Sequence, residues 1–244
     1  MKGVIVWFFV SLLSSAGQTV SGFGYAIVAL AVLPLFIPDM PLLTAEISCV
    51  AVWVSVMNLV RRHDCIKYRI IIPELVAFLL VQPFVTRFFA ETDFSVITAL
   101  LGAVLFLLSI FFFFNPKNLK VPVRWYIGFA AGAISGLIGG LFAISGPPVA
   151  LYLLSSTDNR EEYIETLSFH FVVTSIFIIV IRIGMGALTL SAVPSILSGI
   201  AGLSIGYLAG RVLCSHIKDE SFTRYVCVFT GLSGLYYMIK FFIG

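Results

Sequence analysis

A chain of 244 residues that is 60% hydrophobic and 11% charged, with a mean hydropathy of +1.08, carries more apolar side chain than one soluble core can bury. That excludes a soluble enzyme or receptor domain and points to a polytopic membrane protein. The net charge of +3 does not imply a nucleic-acid partner, because the basic residues sit in short connections between apolar runs, where they act as topology signals.

With about 20 residues needed per helical span, apolar runs near 3–37, 42–60, 70–90, 94–114, 125–155, 164–182, 188–213 and 225–243 predict an all-α membrane fold. Lys2, the apolar run after it and Ser14, Ser15 and Ala16 imitate a signal peptide. Ala26 to Ile37 is apolar again, so cleavage would orphan half a helix, and retention is expected. The first and fifth runs are too long for one straight crossing. Each holds a glycine-punctuated stretch near its middle: G-Q-T-V-S-G-F-G-Y from Gly17 to Tyr25, and G-G-L-F-A-I-S-G-P-P from Gly139 to Pro148. Their separation of about half the chain suggests an internal duplication, with 1–114 as the first transmembrane repeat, 115–124 as a cytoplasmic linker and 125–244 as the second repeat. Cys49, Cys65, Cys214 and Cys227 show no C-x-x-C spacing and read as small residues in helix contacts, so no metal, disulfide or cofactor is expected.

The connections carry the charge. Arg61, Arg62, Lys67 and Arg69, and then Lys117, Lys120 and Arg124, form basic loops that face the cytoplasm, while Glu91 and Asp93 form an acidic one. If the two interrupted runs cross fully, the halves are parallel and Lys2, Arg182 and Lys240 join the cytoplasmic side. If they fold back as re-entrant hairpins, the halves are inverted and Arg160, Arg211, Lys218 and Arg224 join it instead. Two half-helices of about 14 residues reach about 21 Å each at 1.5 Å per residue, which is long for sharing one crossing. The inverted arrangement is therefore favoured.

Unwound backbone within a bilayer is tolerated where it lines a cavity, so each interruption is a candidate ligand site. Gly22, Gly24, Gly139, Gly140 and Gly146 suit an unwinding helix, and Pro147 with Pro148 stops the helix from continuing. The half-helix that follows each break presents the positive end of its dipole, which attracts anions. Gln18, Thr19, Ser21 and Ser145 add polar side chains beside those ends. Phe23, Tyr25 and Phe142 stand where aromatic gates would, although lipid contact accounts for such residues equally well. Gly132 with Gly136, and Gly199 with Gly202 and Gly206, fit close helix packing.

A glycine-rich break followed by an apolar run ending near a proline, once per half of an eight-segment chain, resembles the TauE/SafE sulfite exporter family, also called the toluene-sulfonate uptake permease family. The resemblance implies a secondary transporter without an ATP-binding subunit, moving sulfite, sulfonates or related small organic anions. It carries over onto Ser21, Gly22 and Gly24 in the first break, and onto Gly139, Gly140, Ser145, Gly146 and Pro147 in the second. Gln18 and Thr19 after Gly17, and Ala143 and Ser145 where glycines are often expected, depart from the family pattern.

Glu46, Glu74, His170 and Arg182 lie inside or at the ends of apolar runs, where an ionised group is costly unless paired or hydrated. Glu46 and Glu165 occupy similar places in the two halves. His170 is the candidate protonation switch, its ordinary pKa lying near 6.5, with a plain interhelical hydrogen bond as the competing reading. Arg182 could pair with the anion, but a snorkelling helix end is the preferred reading; Asn58 and Gln82 read as cavity lining or interhelical hydrogen bonds. An anion channel with re-entrant half-helices is the alternative to a carrier. The chain has no H-E-x-x-H and no G-x-S-x-G, and its aspartates lie in connections, so an enzyme is not expected. The expected partners are a small anion, protons as coupling ion and the lipid bilayer, with no nucleic acid and a homodimer left open. The expected location is a cell membrane, most simply a prokaryotic inner membrane.

Overall fold

The computed structural model describes residues 2–21, 23–61, 63–114, 122–213 and 219–243, apart from the side chains of 2, 16, 17, 19–21, 61, 210–213 and 219–225. Gly22, Arg62, Lys117, Lys120, Cys214 and Lys218 fall outside these residues, as do the side chains of Thr19, Ser21, Arg61, Arg211 and Arg224.

The helices are α1 (Lys2–Ser21), α2 (Gly24–Val32), α3 (Met40–Arg61), α4 (Tyr68–Phe88), α5 (Phe94–Phe113), α6 (Trp125–Phe142), α7 (Gly146–Ser156), α8 (Arg160–Gly184), α9 (Val193–Leu213) and α10 (Asp219–Ile243). Short 3-10 turns cover Leu33–Leu35 and Leu190–Ala192, and no strand occurs among the described residues. Seven of these elements are long and apolar enough to cross a membrane; the apolar stretches of α1 and α2 are shorter. Large apolar side chains point outward, Phe84 at 76% and Phe88 at 80% exposure, as lipid-facing surface requires.

The chain divides into two compact units, each drawing on both halves of the sequence: residues 1–43, 92–118 and 191–244, and residues 44–91 and 119–190. In the first, α2 folds back along α1. The hydroxyls of Ser11 and Tyr25 lie 3.0 Å apart, whereas a straight helix would separate those residues by about 21 Å. α1 runs parallel to α9 in a register stepping by four. Ser198 donates to the Val4 carbonyl (2.7 Å), Gly202 lies under the Phe8 carbonyl, and Gly206 under the Leu12 carbonyl. α5 and α10 pair antiparallel: Gly102 and Gly234 face each other's carbonyls, and Ser109 donates to the Cys227 carbonyl at 2.6 Å. α10 also meets α2, where the Tyr237 hydroxyl donates to the Ala31 carbonyl (3.0 Å).

The second unit holds α4, α6, α7, α8 and α3 from Thr44 onward. α6 lies parallel to α4 with the same step of four: Gly132 under the Glu74 carbonyl, Gly136 under that of Phe78, Gly140 under that of Gln82. Small residues at this spacing let two backbones approach without side chains between them. α7 folds back along α6. A Cβ on Gly128 would lie 2.9 Å from the Tyr152 hydroxyl, and Ser135 donates to the Ser145 carbonyl at 2.6 Å. A continuous helix would hold Gly128 and Tyr152 about 36 Å apart. α8 then starts where Asn159 accepts the Glu162 amide (2.9 Å) and Glu162 accepts that of Asp158 (3.0 Å), a capping arrangement that fixes its entry. The 61–68 connection docks on it: Cys65 and Lys67 donate their amides to Glu165 and Thr166, and the Lys67 ammonium reaches Glu162 at 3.1 Å.

Candidate functional site

The turn between α6 and α7 organises the second unit's interior. α6 stops because Ala143 adopts a left-handed conformation (φ 56°), its amide donating to the Gly139 carbonyl at 2.9 Å. It is the single non-glycine residue with positive φ among the described residues. α7 restarts at Gly146 with prolines in its first turn, where the missing amides cost no helical bond. Those prolines also limit what the turn offers an anion. Pro147 and Pro148 have no N–H, so Ser145 and Gly146 supply the amides there. Gly139, Gly140, Ser145, Gly146, Pro147 and Phe142 are all buried at this turn.

Two stripes of side chains, each repeating every four residues, run toward the turn. One on α4 comprises Glu74, Phe78, Gln82 and Thr86; the other, on α8, comprises His170, Thr174, Ile178 and Arg182. All eight are buried. At one end His170 Nδ1 lies 2.9 Å from Glu74 Oε2, with both side chains wholly inaccessible and the Phe78 ring edge-on to the imidazole. At the other end Gln82 Nε2 donates to Thr86 Oγ1 (2.9 Å), Thr86 donates to the Gly140 carbonyl (3.0 Å), and Arg182 Nη2 donates to that same carbonyl (3.0 Å). Arg182 is therefore no snorkelling end. At 4% exposure it caps the carbonyl terminus of α6, where the helix dipole is negative. Asn58 and Gln82 make hydrogen bonds, Asn58 to Ser168 on α8 at 3.2 Å.

In the first unit the turn between α1 and α2 is held by Gln18, whose Oε1 accepts the Tyr25 amide at 3.3 Å. Gln18 thus already occupies one amide of the α2 terminus. Phe23 lies against Phe112 of α5 with ring centroids 5.3 Å apart, and Gly24 and Tyr25 are buried. Glu46 on α3 is buried, with Cys49 one turn on. The partner of His170 is thus Glu74, noted in sequence only as a costly acid. The polar positions spaced by four or eight residues on runs 70–90 and 164–182, Glu74, Gln82 and Thr86 and His170, Thr174 and Arg182, were the signal that joins them.

With seven membrane-length apolar helices and no strand among the described residues, this is a multi-pass membrane protein. The family model for the sulfite exporter TauE/SafE matches residues 7–237, nearly the whole chain, and the protein belongs to that family. It is by that membership a membrane transporter, of a family of exporters rather than enzymes. Neither the curated proteins nor the solved structures include a match to it.

Proposed function

We propose that the protein is a secondary transporter of small oxyanions, sulfite or short sulfonates, working by alternating access around its two interrupted segments, with the two halves as inverted repeats. The family supplies the anion class. One observation carries the mechanistic part: each half contains a hairpin, α1–α2 and α6–α7, whose second arm returns along the first. α6 is of membrane length, but α7 reaches only about 16 Å at 1.5 Å per residue, against a hydrocarbon core of about 30 Å, and it returns along α6. The hairpin therefore enters and leaves on one side, each half keeps three full crossings, and an odd number inverts the second half relative to the bilayer.

The helix pairings support the duplication. The first arm of each hairpin packs in parallel against the second full-length helix of the other half, α1 with α9 and α6 with α4, while the third ones, α5 and α10, pair with each other. Exchanging the halves leaves that pattern unchanged. The charges agree with inversion, since of the 15 basic residues only Lys2, Arg87, Arg182 and Lys240 then avoid the cytoplasmic side. Substrate groups in this reading are the Gln18, Thr19, Ser21, Gly22, Phe23 and Gly24 turn and the Gly139, Gly140, Ser145, Gly146 and Pro147 turn, with Tyr25, Phe142 and Glu46 as gating residues.

Counterflow in proteoliposomes tests it. Preloaded sulfite should accelerate entry of labelled sulfite and saturate. Dicarboxylates exchanged in preference to sulfite would overturn the substrate class, and unitary currents without counterflow would replace the carrier by a channel. A tag on Gly244 should be accessible from the extracytoplasmic side.

A further inference from the structure

The Glu74–His170 couple carries polar atoms that the fold does not satisfy. His170 Nδ1 and Glu74 Oε2 bond to each other, but His170 Nε2 and Glu74 Oε1 are buried without a hydrogen-bond partner, as is Gln82 Oε1 two turns along α4. A structural ion pair is kept because its remaining lone pairs and protons are bonded, and a pair left half-bonded is less stable than an apolar pair of the same volume. With the imidazole neutral and its proton on Nδ1, these open atoms are all acceptors. With Glu74 ionised, Nδ1–H donates to Oε2 and leaves the Nε2 lone pair as an open base, so the site lacks a proton.

We infer that Glu74 and His170 together form the binding site for the coupling proton, which adds at His170 Nε2 when an oxyanion is bound and leaves when it is released. This rests on the transporter reading above and deepens it. In the step one N–H bond forms, the imidazole becomes imidazolium, and the couple passes from one negative charge to none. The proton comes from water on the loading side and returns to water on the other, so no redox partner enters.

The surroundings supply the coupling. α4 and α8 connect the couple to the α6–α7 turn through Gln82, Thr86, Arg182 and the Gly140 carbonyl. An anion at that turn is favoured by Arg182 and opposed by the Glu74 carboxylate. Protonating the couple removes the opposition, so anion and proton each favour the other's binding. α7 brings Tyr152, α8 brings Glu165 and Arg182, and α4 meets α6 at Gly132, Gly136 and Gly140, which carry no charge. Glu165 is engaged by the Cys65 amide and Arg182 by the Gly140 carbonyl.

Methanesulfonate is the probe, because its sulfonic acid stays ionised and any proton that moves belongs to the protein. Calorimetry of methanesulfonate binding to purified full-length protein, repeated in buffers of different ionisation heat, should give about one proton taken up per anion bound. In E74Q and in H170Q that ratio should fall to zero, whatever the affinity. The double substitution E74Q/H170Q, which keeps a neutral pair of similar volume, gives the same reading if either single variant fails to fold. A ratio near one surviving in the variants overturns the inference, as does binding that needs sodium and moves no proton in the wild type. If methanesulfonate does not bind at all, the anion reading fails by itself. The couple is then read from the ring-15N signals of His170, which shift with pH if the pair takes a proton and overturn the inference if they stay fixed.

Discussion

Gly132→Ala puts the helix packing to its hardest test. Alanine is ordinarily favoured over glycine inside a helix by about 0.5–1 kcal/mol. At this position the added Cβ would fall on the Glu74 carbonyl group, 2.7 Å from its carbon and 2.9 Å from the Glu74 Cα. Carbon pairs settle at about 3.5–4.0 Å, so α4 and α6 must part by roughly 1 Å. Backbone is what the Cβ meets, and no rotamer change can relieve it. Overpacking of this kind costs about 1–3 kcal/mol, which outweighs the helical gain and leaves a net loss of about 1–2 kcal/mol. Gly184→Ala is the control, since nothing lies within 4 Å of its Cβ and the helical gain should stand alone. Gly140→Ala, whose nearest neighbour is the Gln82 carbonyl at 3.0 Å, should fall between them. Equilibrium unfolding in mixed micelles gives the order. A Gly132→Ala protein as stable as the wild type would refute the parallel, glycine-mediated contact of α4 with α6.

Other expectations follow from the same geometry. Ala143→Gly relieves the left-handed φ of 56° and should stabilise by about 0.5–1 kcal/mol in the same assay; a loss would show that the turn is not strained. Arg182→Gln removes a charge-assisted bond to the Gly140 carbonyl and should cost about 1.5–3 kcal/mol, whereas Thr86→Val removes a neutral one and should cost about 0.5–1.5 kcal/mol. The reverse order would refute the capping role of Arg182. Burial, and then the Glu165 charge, hold the Cys65 thiol above its ordinary pKa. Because the thiolate is the reactive form, maleimide labelling of Cys65 should be slower than that of a free thiol at neutral pH. The rate should rise as pH rises and be faster in Glu165→Gln; a rate unaffected by either change would refute it.

How much was legible in the sequence depends on whether a property is local. Hydropathy is summed over about 20 consecutive residues, so the membrane class and the extent of the apolar runs could be read directly. The places where α1 and α6 end could be read too, because glycine's freedom and the missing proline amide act within a few residues. Gly132 and Gly136 were recognisable as packing residues from their spacing alone. The direction taken after each turn was not, since Ala143 and its neighbours allow the chain either to continue or to return. Only the contacts of Tyr152 with Gly128 and of Tyr25 with Ser11 decide it. The same holds for the chemistry. Glu74 and His170 stand 96 residues apart, and each alone reads as an expensive polar group in an apolar run. Sequence determined that such groups had to find partners or water; the tertiary structure decided which partners, because α4 and α8 lie parallel and bring two four-residue repeats face to face. Arg182 shows the difference most plainly. Its position near a run's end suggested an outward reach, and the end of α6, brought to it by packing of distant segments, turned it inward.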